Sequence, residues 1–217
     1  MSPTVHSSRR RFAARLNSSV RRHGRSHVND PDFQKLLSDH NVVIVHFSHF
    51  AVMGHLVEFP DDLFHAISHH EQETRSCCAL WPGHEMEVPG SVGLIFQPTI
   101  DQVVSVLADD SGSSDFGGTE RSAGEVPTRE TLLASLEVPS GRYNEWRVRG
   151  AKPTGIFVAD VSNIYAKKKQ QLHFNGTTIN EIGCTSITLQ SVLDAFPGCS
   201  VYTLRQDGLH KVCGNGV

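Results

Sequence analysis

The apolar pattern of this chain predicts an α+β fold: a mixed, mainly antiparallel sheet with flanking helices. Short β-branched runs such as Val42–Phe47 read as buried strands, and a smaller number of segments carry apolar residues at helical spacing. The two kinds of segment do not alternate strictly, as a doubly wound parallel sheet would require.

Asp30-Pro31 opens the folded part, with Asp30 as helix cap and Pro31 in the first turn. A helix follows over Asp30–Asp39 with Phe33, Leu36 and Leu37 inward. Val42–Phe47 is the first buried strand. Asp61–His69 is helical, with Leu63, Phe64 and Ile67 inward, and Ser91–Phe96 is a second strand. Ile100–Leu107 fits either state, and the β-branched Val103–Val106 favours a strand. Asp109–Gly124, dense in Ser, Gly and Asp, is a polar loop. Thr128–Leu136 and Ile187–Phe196 read as helices, and Asn144–Arg149 and Gly155–Ala159 as strands. Val201–Arg205 and Leu209–Val212 flank Asp207-Gly208, a hairpin turn signal.

The 217 residues are 38% hydrophobic and 20% charged, a globular balance. Apolar runs are far shorter than the roughly twenty residues of a spanning helix, so no membrane span is expected. Five scattered cysteines without a C-x-x-C pair read as free thiols. Charge is distributed unevenly. Met1–Asn29 holds seven arginines and no acidic residue, which leaves 13 of the 20 basic residues against 23 acidic ones in the remainder. An acidic domain repels phosphate backbones, so nucleic acid is not an expected partner.

Residues 1–29 therefore form an Arg/Ser-rich leader, expected to be disordered, and 30–217 a single domain. By itself the leader suits an organelle transit peptide, a tail for nucleic acid or a membrane surface, or an export signal.

Candidate chemistry is sparse. The thirteen histidines show no H-E-x-x-H, and His46/His49, His65/His69 and His69-His70-Glu71 do not make a metal pattern, so no metal is expected. Glycine-rich phosphate loops are absent. Cys184, read as lying just ahead of the helix Ile187–Phe196, is a thiol candidate for a hydrolase or acyltransferase. His173 or His210 would be its base and Asp194 or Asn180 the orienting group.

A stronger constellation pairs two distant residues. His46 closes the first buried strand in V-V-I-V-H-F-S-H. Glu145 stands in R-Y-N-E-W-R-V-R-G-A-K-P-T-G-I-F-V, where a carboxylate begins a strand and Lys-Pro leads into the next. This arrangement resembles the ADP-ribosyltransferase superfamily over most of Val42–Ala159. The stretches G-L-I-F-Q-P from Gly93 and D-D-S-G-S from Asp109 look like the middle of such domains. Together with the leader, the chain resembles ADP-ribosyltransferase-like type III secretion effectors of Gram-negative bacteria.

The resemblance implies a split, mainly antiparallel core sheet and a mono-ADP-ribosyltransferase that transfers ADP-ribose from NAD, its substrate, to a host macromolecule. Glu145 and His46 would be catalytic, facing one cleft about as wide as a nicotinamide riboside. Glu145 would hold the ribose 2′-OH and stabilise the oxocarbenium-like transition state. His46, Phe47, Ser48, Tyr143, Asn144, Ser111 and Ser113 would bind NAD, with Trp146 a further stacking face. Tyr143 stands where arginine-modifying members carry Glu or Gln, so arginine is not implied as acceptor. The leader becomes an export signal, and the product a secreted monomer delivered into the host cytoplasm to meet a host protein. The same fold without activity would be a host-protein-binding effector that engages its partner through its acidic surface.

Overall fold

The computed structural model describes residues 28–48, 51–52, 55–84, 90–108, 124–137 and 143–212. The first helix, α1 (Asp30–Asp39), is capped by Asn29 and not by Asp30: Asn29 Oδ1 accepts from Asp32 N at 2.9 Å. Asp30 Oδ1 instead accepts from Ile100 N at 3.0 Å, tying the helix to the distant turn Ile100–Gln102. Val28 is buried in the main core, so the folded part starts ahead of Asp30.

Then follow β1 (Val43–Phe47), the short ladder of β2 (Ala51–Val52) and β3 (His55–Leu56), α2 (Asp61–Ser68) and β4 (Thr74–Leu80). Next come β5 (Val92–Phe96), β6 (Val103–Leu107), α3 (Arg129–Ser135), β7 (Glu145–Arg149) and β8 (Pro153–Val158). The long strands β9 (Tyr165–Phe174) and β10 (Thr177–Ser186) precede α4 (Leu189–Ala195), and β11 (Val201–Arg205) and β12 (Gly208–Lys211) end the described fold. The architecture is mixed α+β and mostly antiparallel, as expected. The final hairpin turns on Gln206-Asp207, since Arg205 faces Gly208, one residue earlier than the Asp207-Gly208 signal suggests.

Eight strands make one sheet in the order β12-β11-β8-β5-β1-β4-β7-β6, with β11 and β8 the parallel pair. β4 changes partner within its length. Cys78–Leu80 pair with β1, whereas Thr74–Cys77 pair with β7. The sheet is thus two half-sheets joined by one strand.

The four helices among the described residues cover the same face. Phe33 and Leu36 from α1, Leu63 and Ala66 from α2, Leu132 from α3 and Val192 from α4 pack with Ile44, Cys77, Leu94, Trp146, Val148 and Ile156. Each large apolar side chain fully withdrawn there contributes roughly 1.5–3 kcal/mol. A second cluster, built on Val43, Val45, Phe47, Cys78, Leu80, Ile95 and Phe157, lies on the opposite face. Phe64, expected inward, is 42% exposed, although its ring leans on Phe196 at 5.0 Å.

Candidate active site

Register settles where His46 and Glu145 point. His46 faces Leu94 across β5 and alternates with Val45 and Phe47, so it shares the helix-bearing face with Ile44 and Leu94. Glu145 faces Leu107 across β6 and alternates with Trp146 and Val148, both of which lie in the helix-side core. It therefore shares the other face with Tyr143 and Arg147. β4 separates the two strands, a lateral distance of roughly 10 Å. The expectation that His46 and Glu145 line one cleft is corrected: alternation sends them to opposite faces.

Each is also engaged where it stands. The His46 ring reaches the point where β1 leaves β4, and its Nδ1 donates to the Ser76 carbonyl at 2.7 Å. That bond requires a proton on Nδ1. Glu145 is only 5% exposed, and its Oε1 lies 3.4 Å from Arg147 Nε. A guanidinium two residues along the strand stabilises the carboxylate and occupies one of its oxygens.

The expected NAD-binding residues divide in the same way. Phe47 is core, in an edge-on contact with Phe157 at 5.8 Å. Tyr143 is half-buried against that same cluster. Ser48 Oγ donates to Asp62 Oδ2 at 2.7 Å beneath the start of α2, on the His46 side. Asn144 is wholly buried, and its amide is bonded to the backbone of Ala79. Trp146, which would stack on nicotinamide, is 0% exposed; its Nε1 donates to Ser135 Oγ and its ring meets Phe33 at 6.2 Å. Ser111 and Ser113 lie outside the described residues.

The thiol arrangement is not assembled either. Cys184 is an exposed residue of β10 opposite Lys167, and α4 is capped further on by Thr188. His173 pairs with Thr178, six residues from Cys184 along β10 and so roughly 20 Å away. His210 is taken by Asp207 at 2.6 Å, and Asp194 by Gln190. Asn180 lies between them on β10.

Among the described residues no three His, Cys, Asp or Glu side chains converge on a metal position. His65 and His69 stack face to face at 4.1 Å, and Glu73 serves Arg75 at 2.6 Å. A cleft of about 280 Å³, lined in part by Gln34, Asn41, Ile44, Phe96 and Leu209, opens at the other end of β1 and includes none of the expected site residues.

Sequence reasoning overlooked the β9–β10 ribbon. Its signal was present: Asn175-Gly176 carries φ of 48° and 75°, the double left-handed turn that closes a two-residue hairpin. The half-buried Glu73 on buried Arg75, and the buried pair Ser48–Asp62, had no sequence signature beyond residue type.

No helix among the described residues is long and apolar enough to cross a membrane. No protein-family model matches the chain, and no curated protein or solved structure is detectably similar to it.

Proposed function

We propose that this chain is a host-protein-binding effector on an ADP-ribosyltransferase-like scaffold, one that engages its target without turning over NAD. The observation that carries this reading is the divergence of His46 and Glu145 to opposite faces of the sheet. The chemistry needs both at one nicotinamide riboside. The pairing of Glu145 with Arg147 also commits the carboxylate that would have to meet the ribose.

The test is label transfer from biotinylated NAD into a host lysate, with nicotinamide release measured in parallel. Wild type and Glu145→Ala are expected to be equally inactive. Transfer or release that depends on Glu145 overturns the reading in favour of the transferase.

That second reading keeps one observation in its favour. The sheet is divided at Cys77/Cys78, in keeping with a split core, and Asn144-Glu145 opens the strand on one side of the division.

A further inference from the structure

Beyond the eight-stranded sheet, β9 and β10 form a separate two-stranded ribbon of ten continuous pairs, a span of roughly 33 Å. Its base is held by the body: Ile164 and Ala166 are buried, and Ile187 N donates to Ile164 O. The outer edge of β9 is answered by the chain itself. Tyr165 N donates to Ser91 Oγ at 2.7 Å and Lys169 N to Glu58 Oε1 at 2.8 Å.

These two bonds fix the parity of the ladder. Tyr165 and Lys169 send their N–H groups outward, so their partners Ser186 and Ile182 do likewise on the far side, together with Thr178, Asn180 and Cys184. Among the described residues no strand pairs with that edge. It lacks the usual protections as well: β10 has no proline and no lysine, and its one charged residue is Glu181.

Charge selects what fits. Lys167, Lys168 and Lys169 stand directly across from Cys184, Gly183 and Ile182, and the ribbon's sole acidic residue is Glu181. This is a basic spot on a domain with 13 basic against 23 acidic residues. Gly183, opposite Lys168, puts no side chain between that lysine and a strand laid along β10. A second copy would bring another lysine run, and nucleic acid would meet the acidic body.

We propose that the outer edge of β10 is a docking site for an extended acidic segment of a partner protein, which adds to the ribbon as a third strand. Backbone bonds would supply the pairing and the lysine run the choice of partner. The inference rests on the binding reading above and names its surface.

The experiment uses the full chain and three labelled probes: a peptide as long as β10 that alternates Glu with Val, its Lys–Val counterpart, and a single-stranded oligonucleotide. Hydrogen exchange at β10 is followed with and without peptide, and sedimentation reports self-association. The acidic peptide is expected to bind about tenfold tighter than the basic one, with slowed exchange at Thr178–Ser186. Cys184→Pro removes an outward N–H that the ladder does not use, and should weaken binding about tenfold. Changing the three lysines to Glu should do the same through charge, with the backbone untouched. Binding that survives both variants overturns the proposal. So does no binding, preference for the oligonucleotide or the basic peptide, or a dimer that Cys184→Pro dissolves. NAD turnover is assayed separately, so an active enzyme would remove the binding reading without touching the peptide result.

Discussion

The side-chain amide of Asn144 pairs with both backbone groups of Ala79, accepting from its N at 2.8 Å and donating to its O at 3.1 Å. It extends the β4–β7 ladder by one rung, in register with Cys77 and Trp146, and its Nδ2 also serves Ser135 O. Asn144→Ala would strand these buried backbone groups. It is expected to cost about 2–4 kcal/mol, read as a lower urea midpoint at unchanged slope. A loss below about 0.5 kcal/mol would mean that water replaces the amide.

Gly93 sits where β5 passes β1, opposite Phe47 and Phe157. A methyl group there would stand 2.6 Å from both His46 O and Val45 Cγ1. Gly93→Ala should destabilise by about 1–3 kcal/mol through overpacking. Thermal unfolding measures it, with Gly83→Ala as a contrast in which only backbone strain acts, since no atom lies near.

His65 should make stability depend on acidity. Burial lowers its pKa; Glu73 opposes the shift, while His69 and Arg75 reinforce it. A lowered folded value means that the native state binds the proton less readily than the unfolded chain. The contribution is therefore present above about pH 6.5 and is lost as pH falls through the folded value. Urea midpoints measured from pH 8 downward should decline less steeply in His65→Gln than in wild type. Parallel curves would exclude His65 as the source.

The thiols should separate by accessibility. Cys77 and Cys78 are buried, and burial, followed by the neighbouring Cys78, raises the Cys77 pKa well above the ordinary thiol range. Cys184 and Cys199 are exposed. Brief alkylation at pH 8 followed by peptide mapping should modify Cys184 and Cys199, and reach Cys77 only after unfolding. Early labelling of Cys77 would show that β4 opens in the native state.

Removal of the leader tests its expected role as an export signal. The cut belongs before Val28, which is buried, and Asn29, which caps α1. Deleting residues 1–27 should leave the melting temperature and peptide binding unchanged and abolish delivery from the producing cell. A fall of several degrees in melting temperature would show that the leader is part of the fold.

Legibility followed burial chemistry. β1, β5 and β8 were visible because V-I-V-H-F, V-G-L-I-F and G-I-F-V are apolar on both faces. β4 was not, because T-R-S-C-C-A-L has no β-branched run, and its strand state comes from neighbours on both sides. Cys184 was misplaced because the ribbon that contains it went unseen. For the site, residue types and strand positions could be read, but the faces could not. Which way Glu145 points relative to His46 depends on the register of both strands against β4, the strand that the sequence concealed.

The shared strand has a consequence for the order in which the chain can fold. β4 holds one half of the sheet through β1, which lies close to it in sequence, and the other through β7, which follows some seventy residues later. β5 likewise waits for β8. In a chain emerging N-terminus first, Cys77 waits for Trp146, and Leu94 and Ile95 wait for Ile156 and Gly155. Long-range closure of this kind folds slowly and leaves open edges while it waits. Until β7 and β8 arrive, the first half of β4 and the far side of β5 stand as unpaired edges.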